Sequence, residues 1–310
     1  MFSGQGSHYL QMGRALFDDN RIFRDWMMRL DDFVRQSSGT SVIETLYSDR
    51  HKAGDSFDRT LLTHPAIFMV EYSLAQTLID LGVQPDMVLG VSVGTFAAAT
   101  VAGFLGVENA LTAVMRQASA LEENCEAGGM TAVLADPALF AEEFLSSRTE
   151  LAAVNFSSHF VVSGRGKELA EVEAALRRSN VGYQRLPVSL PFHSRWMDRA
   201  KAPFLACMVS IPCHSGRLPL VCCDQTASLF ELSEHYFWNV VRNPIRFGET
   251  ITLLEQQGAR RYIDVGPAST LATFLKYGML ATTKSTVHAI LTPFGFDQKN
   301  LAALLASFKN

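Results

Sequence analysis

The sequence predicts an α/β protein in which a smaller domain of the ferredoxin-like class is inserted into a larger one. The segment 87–103 runs from an apolar strand through a glycine turn into a helix of small residues. Residues 128–189 carry strand and helix patterns in the order β-α-β-β-α-β, which is the order of the ferredoxin-like unit. The 310 residues are 48% hydrophobic and 19% charged, which is enough for a large core and two domains.

We expect residues 1–127 and 190–310 to form the larger domain and 128–189 to form the smaller one. Apolar residues recur at helical spacing from residue 9 to about residue 36, which predicts one or two amphipathic helices. The segment that follows, up to Thr60, is polar and is predicted to be a loop.

The next helix is expected to open at Thr63, with Pro65 in its first turn, and to end at Gly82. This helix is followed directly by the apolar strand of segment 87–103. A further helix is predicted from Val107 to about Cys125. Its buried face is expected to include Ala110, Val114 and Leu121.

The insertion contains four predicted strands and two predicted helices. The strands are expected at 130–134, 151–154, 160–163 and 183–188, and the helices at 137–146 and 167–179. Two more buried strands, at 221–223 and 261–265, are expected to belong to the larger domain, and helices close the C-terminal part of the chain.

The glycine turn in segment 87–103 has the pattern G-x-S-x-G over Gly90–Gly94. Such an elbow holds a serine in a strained strand-to-helix turn, where it can act as a nucleophile next to the helix N-terminus. We therefore expect Ser92 to be exposed there. Two alternatives are an ordinary buried glycine turn and a membrane span, because the 21 residues of 87–107 carry no charge. The glycines and the absence of a basic flank disfavour a membrane span.

Composition excludes several other classes of protein. A formal net charge of -4 without basic clusters argues against a nucleic-acid partner. The five cysteines lack metal-binding spacing, so we expect buried thiols, no metal and a reducing cytoplasm. The glycines at positions 4 and 6 do not have the spacing of a dinucleotide or phosphate fingerprint, so no cofactor is expected, and no signal peptide is apparent.

Separated motifs resemble one family in the same order along the chain. They are Ser3–Ser7 (SGQGS), Gly90–Gly94 (GVSVG), Val154-Asn155 with Val162–Gly164, Pro191–Ser194 (PFHS) with Met197-Asp198, Asn243–Phe247 and Asp264–Pro267. This set resembles the malonyl-CoA:acyl-carrier-protein acyltransferases of fatty-acid and polyketide synthases. The resemblance spans nearly the whole chain and implies an α/β-hydrolase-like core with an inserted ferredoxin-like subdomain.

The resemblance also implies roles for individual residues. Ser92 would accept the acyl group and His193 would be the general base. Gln5 resembles the family glutamine beside the oxyanion hole, whose main donor would be the backbone N–H of Val93. A loop glutamine bonded to its own turn is the alternative for Gln5. The family usually orients its base with backbone carbonyls, so the segment 243–247 is the candidate orienter of His193.

Three further positions receive an interpretation from the same resemblance. Asp198 and Asp264 are expected to be structural and not members of a catalytic triad. Phe192 matches a position that shapes the acyl pocket in the family, although Pro191-Phe192 fits neither of its common specificity signatures fully.

The chain departs from the family at two places. Family members usually have histidine before the serine and glutamate after the second glycine, where this chain has Val91 and Thr95. The family arginine that clamps the malonyl carboxylate aligns with Gln117, and Arg116 lies one residue early. Because one helical residue is a rotation of about 100°, Arg116 is expected to face away from the pocket.

These departures resemble the acyl-hydrolase branch of the family, which removes acyl groups from carrier proteins beside trans-acyltransferase polyketide synthases. Glutamine cannot neutralise a carboxylate, so we expect a pocket for neutral acyl chains on a pantetheine thioester. The implied partners are an acyl carrier protein, acyl-CoA, and a polyketide synthase that contains the chain or docks with it. The alternatives are an acyltransferase for malonyl-CoA or another acyl-CoA that still uses Arg116, and an inactive docking domain.

Overall fold

A computed structural model describes residues 1–52 and 54–308 of the chain. The α-helices of the described residues are α1 (Arg14–Asp19), α2 (Arg21–Ser38), α3 (Val42–Tyr47), α4 (Thr60–Asp80), α5 (Gly94–Ala102), α6 (Val107–Asn124), α7 (Glu143–Ser146), α8 (Gly166–Arg178), α9 (Lys201–Met208), α10 (Tyr236–Arg242), α11 (Phe247–Gln256), α12 (Thr270–Gly278) and α13 (Asp297–Ala306). Two 3₁₀ helices span Pro137–Ala141 and Arg195–Ala200.

The strands are β1 (Val88–Gly90), β2 (Gly128–Leu134), β3 (Glu150–Phe156), β4 (His159–Arg165), β5 (Gly182–Arg185), β6 (Leu220–Cys222), β7 (Ala227–Leu229), β8 (Arg261–Asp264) and β9 (Thr286–Ala289). Mixed helix and sheet organisation confirms the predicted α/β class.

The central layer of the larger part is built around β1. Strand β1 pairs in parallel with β6, and β6 pairs antiparallel with β7. On the other side of β1, Phe2 donates its N–H to Leu89 O at 2.8 Å and accepts from Val91 N–H at 2.9 Å. Val265 N–H donates to Met1 O at 3.0 Å, which connects this edge to the parallel pair β8 and β9. Phe2 and Ser3 therefore lie directly beside the strand that leads into the serine turn.

Strands β2 to β5 form a separate antiparallel sheet in the spatial order β3-β4-β2-β5. With α8 on one face, this is the strand order of a ferredoxin-like unit, as the β-α-β-β-α-β pattern predicts. The helix expected at 137–146 is divided between the 3₁₀ helix and α7. The boundaries at residues 127/128 and 189/190 stay a prediction.

Two expectations about the first 80 residues were wrong. The segment before Thr60 is not all loop, because Ser41 caps α3 by accepting from Glu44 N–H at 3.0 Å. Helix α4 begins at Thr60 and not at Thr63, so Pro65 lies inside the helix and beyond its first turn. Helix α4 is buried on nearly all sides, which lets packing compensate for the backbone hydrogen bond that proline lacks.

Helix α6 has the buried face that its periodicity predicts. Ala110, Val114 and Leu121 are fully buried. No helix in residues 1–52 and 54–308 is both long enough and apolar enough to cross a lipid bilayer. The uncharged segment 87–107 is divided between a strand, the serine turn, α5 and the start of α6.

Candidate active site

The turn between β1 and α5 holds Ser92 in the left-handed region, with φ 52°. Its neighbours have to be glycine for steric reasons. A Cβ on Gly90 would lie 2.4 Å from Thr95 Cα, and a Cβ on Gly94 would lie 2.2 Å from Ser3 O. The glycines therefore let strand, helix and N-terminal loop approach each other at the serine, which is the geometry expected of a nucleophile elbow.

Ser92 is less accessible than the sequence suggested. Only 7% of its surface is exposed, so the expectation of an exposed serine was wrong. The physical reason is the loop Ser3–Ser7, which lies over the turn: a Cβ on Gly4 would be 2.8 Å from Ser92 Cβ. The hydroxyl is enclosed by a second segment that local sequence patterns do not reveal.

The structure brings His193 to Ser92 across 101 residues of sequence. His193 Nε2 lies 3.0 Å from Ser92 Oγ, and Nδ1 lies 2.8 Å from the backbone oxygen of Asn243. The carbonyl of Asn243 can only accept, so Nδ1 carries the proton and Nε2 is left to accept from the serine hydroxyl. Burial lowers the pKa of His193 to about 4, which keeps the imidazole neutral near pH 7.

His193 itself has a strained backbone, with φ 58°. Its N–H donates to Val241 O at 3.1 Å, so both its backbone and its ring are tied to the segment 241–243. Asn243 is held in turn by its side-chain amide, which donates to Asp224 at 3.2 Å. The ring orientation is therefore set by backbone groups, as the resemblance implied.

The two aspartates considered as third members make other contacts. Asp198 pairs with Arg242 at 2.6 Å on the surface. Asp264 is buried and accepts from the N–H groups of Gly266 at 2.9 Å and Ala272 at 2.8 Å. Both arrangements are those of structural carboxylates.

Gln5 belongs to the loop over Ser92, and its side chain bonds a neighbouring helix instead of its own turn. Gln5 Nε2 donates to Thr63 Oγ1 of α4 at 2.7 Å. Within the part of the chain that the structure describes, the backbone N–H groups of Gln5 and Val93 donate to no protein acceptor. Both belong to segments next to Ser92, so they are available to a developing negative charge on a substrate oxygen.

Gln117 and Arg116 point in different directions from α6, one buried and one exposed. Gln117 has no exposed surface, whereas Arg116 is exposed and lines an outer cavity of about 500 Å³ with residues of α2. Gln117 Nε2 makes one long contact, 3.5 Å, with Phe237 O, and in the described part of the chain its Oε1 has no partner. None of the lysine and arginine side chains among residues 1–52 and 54–308 is buried.

Phe192 is 1% exposed, and its backbone oxygen accepts from Ser163 Oγ of the smaller sheet. The peptide between Phe192 and His193 is thus fixed to the ferredoxin-like unit. Ser92 and His193 both lie in the predicted larger domain, but the residue before His193 is bound to the smaller sheet, so the position of His193 also depends on how the two parts pack.

Comparison with known proteins identifies the family. A sequence profile described as "Acyl transferase domain" matches residues 1–309. The chain belongs to the acyl transferase domain family. This confirms the resemblance inferred from the motifs, and with it the α/β-hydrolase-like core and ferredoxin-like subdomain that structures of this family share with the chain.

Individual relatives align over almost the full length. The protein of Bacillus velezensis called polyketide biosynthesis acyltransferase homolog BaeD is 41% identical over 302 residues, covering 97% of this chain and 93% of its own. The Bacillus subtilis protein called polyketide biosynthesis acyltransferase homolog PksD is 39% identical, again covering 97% of this chain and 93% of its own. A loading acyltransferase of the avermectin polyketide synthase superposes with a TM-score of 0.90 at 27% identity, over 100% of this chain and 98% of its own.

Two residues near the centre of this acyl transferase domain were missed by sequence reasoning. Glu71, on α4, accepts from Ser3 N–H at 2.6 Å and Ser3 Oγ at 2.8 Å, and burial raises its pKa well above the usual range. His64 is 1% exposed and lies with its ring 5.7 Å from that of Phe192. The available signal was an ionisable side chain at each of these two positions of a largely apolar helix.

The cysteines of the acyl transferase domain differ in burial. Cys222 and Cys223 are buried, Cys125 and Cys207 are partly exposed, and Cys213 is exposed, so the expectation of five buried thiols was wrong. Cys222 ends β6, whose three residues are all buried, and Cys223 follows it, whereas Cys125 and Cys207 lie at the C-terminal ends of α6 and α9 and Cys213 lies between α9 and β6. In the described ranges, no group of three or more His, Cys, Asp or Glu side chains is arranged to bind a metal.

Proposed function

We propose that this chain is a serine enzyme of polyketide biosynthesis that hydrolyses acyl groups from acyl carrier protein. The names of its Bacillus relatives support a role in polyketide biosynthesis. The 3.0 Å contact between Ser92 Oγ and His193 Nε2 supports nucleophilic catalysis. The carrier presents the acyl group as a phosphopantetheine thioester, and the enzyme either belongs to a polyketide synthase or docks with one.

In the first half of the reaction, Ser92 Oγ attacks the thioester carbonyl while His193 Nε2 removes the hydroxyl proton. The C–S bond then breaks, the acyl group stays on Ser92 as an ester, and His193 returns the proton to the departing thiol. The Asn243 carbonyl stabilises the protonated imidazole through its bond to Nδ1. A neutral His193 at rest is the required starting state.

The negative charge on the carbonyl oxygen would be received by the N–H groups of Val93 and Gln5. Both are unpaired within the described protein, and such donors typically contribute about 10²-fold or more to the rate. The amide of Gln5 is anchored on Thr63, which would hold the loop in position during the attack. In the second half, His193 activates water, which attacks the ester and releases free acid and Ser92.

The absence of a buried cation in the described residues is the observation that supports neutral substrates. The motif resemblance aligns Gln117 with the family's clamp arginine; Gln117 is buried, and Arg116 is exposed to solvent. A malonyl carboxylate would have to be buried without a charge partner, and breaking a buried ion pair typically costs about 3–5 kcal/mol. Neutral acyl chains carry no such cost.

The same observation favours water as the acceptor. In the absence of a clamp, a short acyl chain is anchored only by burial, which contributes about 0.8 kcal/mol per methylene. The acyl ester is therefore expected to be more mobile and more open to water than a clamped malonyl ester.

An acyltransferase that loads malonyl or another acyl group from CoA onto the carrier is the second candidate. The names of the relatives favour it, because the Bacillus proteins are called acyltransferase homologs and the superposed structure is a loading acyltransferase. The two candidates share the acyl-enzyme on Ser92 and differ only in the acceptor.

The deciding experiment follows the acyl group from acetyl-, butyryl- and malonyl-loaded carrier protein, with and without a second, empty carrier. We expect free carboxylic acid and unloaded carrier, with the malonyl carrier the poorest substrate. Passage of the acyl group to the empty carrier with negligible free acid, or a preference for malonyl, would identify a transferase.

Two variants link that outcome to the proposed site. Ser92→Ala should abolish the acyl-enzyme adduct seen by intact-protein mass spectrometry. His193→Ala should slow adduct formation by about 10³-fold, the usual contribution of a general base. The exposed His235→Ala is the matched control and should behave as wild type. An adduct that survives Ser92→Ala would refute the assignment of the nucleophile.

A further inference from the structure

Helices α4 and α6 each bury a polar side chain with hydrogen-bonding atoms that have no partner among the described residues. Among the residues that the structure describes, neither ring nitrogen of His64 has a hydrogen-bond partner, and Gln117 Oε1 has none. Both residues are at most 1% exposed. Since more than about 90% of buried polar groups in proteins are hydrogen-bonded, these two residues require an explanation.

His64 lies between the two segments that hold the catalytic pair. On one side, the preceding residue Thr63 accepts from Gln5, whose loop covers Ser92. On the other side, the His64 ring is 5.7 Å from the ring of Phe192, which immediately precedes His193. His64 is therefore adjacent to the place where the acyl group must be when its carbonyl carbon reaches Ser92.

Gln117 lies at the same depth as His64. Leu61 N–H at the start of α4 donates to Glu122 near the end of α6 at 2.8 Å, and the two helices pack extensively against each other, which we interpret as an antiparallel pair. From this contact, His64 lies three residues toward the C-terminal end of α4. Gln117 lies five residues toward the N-terminal end of α6. At 1.5 Å per residue, the two positions differ in depth by about 3 Å.

The chemistry of the two side chains is complementary to a hydroxyl group. Burial, together with the neighbouring His8, lowers the pKa of His64 to about 3, so its ring is neutral. A neutral imidazole has one N–H donor and one acceptor nitrogen, and Gln117 Oε1 is an acceptor. A hydroxyl both donates and accepts, whereas an alkyl chain does neither and a carboxylate only accepts.

We propose that His64 and Gln117 form a hydrogen-bonding subsite for the acyl chain, and that the substrates are thioesters of hydroxyl-bearing acyl groups. The proposal rests on the proposed function, because it assumes that Ser92 receives the acyl group. The absence of a buried cation predicts neutral acyl chains as substrates. The subsite restricts this expected range to acyl chains that are uncharged but polar.

The test compares carrier protein loaded with butyryl and with 2-, 3- and 4-hydroxybutyryl groups. The readout is the second-order rate of Ser92 acylation by mass spectrometry, which does not depend on the later acceptor. We expect at least one hydroxy isomer to acylate Ser92 about tenfold faster than butyryl, since the subsite's polar atoms are otherwise left unpaired. Equal or slower rates for all three isomers would overturn the proposal.

Substitutions at His64 and Gln117 test whether the preference for hydroxyl-bearing acyl groups arises at this subsite. His64→Leu and Gln117→Leu should each reduce the ratio of hydroxybutyryl to butyryl rates toward one, whereas His235→Leu, at an exposed position, should keep the wild-type ratio. A wild-type ratio in both subsite variants would refute the assignment. If neither variant folds, the comparison of isomers on the wild-type protein still decides the substrate class.

Failure of this inference differs from failure of the proposed function. Acylation of Ser92 by all chains without hydroxyl preference would overturn only the inference. Absence of any acyl-enzyme on Ser92 would overturn both. Transfer to an empty carrier with a hydroxyl preference would leave the subsite intact and replace the hydrolase by a transferase.

Discussion

The serine turn and the helix pair α4/α6 are neighbours, yet within the described residues different kinds of group are left without a partner: the backbone N–H of Val93 in the turn, and side-chain atoms in the helix pair. In the turn, Gly94 N–H bonds Val91 O and Thr95 N–H bonds Ser92 O, both at 3.0 Å, and the Ser92 hydroxyl faces His193. In the helix pair, both nitrogens of His64 and Oε1 of Gln117 lack a partner within residues 1–52 and 54–308.

This difference between the turn and the helix pair corresponds to two functions, positioning of the reacting atoms and selection of the acyl group. The reacting atoms are positioned by backbone contacts that admit no additional atom, which is preorganisation for attack on any thioester carbonyl. The choice of acyl group is left to a few side chains on the helices, whose replacement need not disturb the turn. Activity is therefore expected to fail when the turn is altered, and selectivity to change when the helix pair is altered.

The largest effect on stability and activity is expected from Gly94→Ala, which disrupts the packing of the turn. The new Cβ would lie 2.2 Å from Ser3 O, a backbone atom that cannot move without displacing the loop over Ser92. We expect the free energy of unfolding to fall by about 4 kcal/mol, together with loss of Ser92 acylation.

Urea denaturation measures this change, and Gly166→Ala is the control because its Cβ would meet nothing within 4 Å. If the two alanine variants had equal stability, the tight packing described for the turn would be wrong.

Protonation of His64 is expected to reduce the free energy of unfolding by about 3 kcal/mol when the pH is lowered. Its pKa is about 3 in the folded protein and near 6.5 when unfolded, so the unfolded state binds the proton first. The stability that this neutral ring contributes is present above pH 6.5 and is lost as the pH falls toward 3. Between pH 7 and pH 4 the loss from His64 amounts to about 3 kcal/mol.

The measurement is the free energy of unfolding as a function of pH for wild type and His64→Leu. The variant should lose about 3 kcal/mol less over that range, whereas His235→Leu should follow the wild-type curve. Parallel curves for wild type and His64→Leu would contradict the neutral, buried state assigned to His64.

The smallest effect is expected from Gln117→Arg, which supplies the missing cation. Acylation of Ser92 by malonyl-CoA should rise about tenfold, less than the full value of a buried ion pair because the free enzyme must also bury the arginine. Arg116→Ala should leave malonyl acylation unchanged, since Arg116 is exposed. A loss in Arg116→Ala with no gain in Gln117→Arg would show that the helix register assigned to substrate binding is off by one residue.

Much of the fold could be predicted because its signals are local. The β-α-β-β-α-β order of the smaller sheet and the buried face of α6 follow from periodicity alone, and the structure has both. The short α3 was missed because its cap depends on contacts as well as on sequence: Asp31 of α2 accepts from Val42 N–H at 2.6 Å. The start of α4 was misplaced because burial on all sides overrides the usual position of proline.

By itself, the sequence determined the serine turn, since only glycine fits at positions 90 and 94, and it determined that Gln117 and Arg116 point in different directions on their helix. Only the tertiary structure decided that Ser92 is nearly buried, that the Asn243 carbonyl holds His193, and that His64 is left without a partner. The physical reason is that turn and helix geometry depend on neighbouring residues, whereas burial and hydrogen-bond pairing depend on segments that are distant in sequence and meet only when the chain folds.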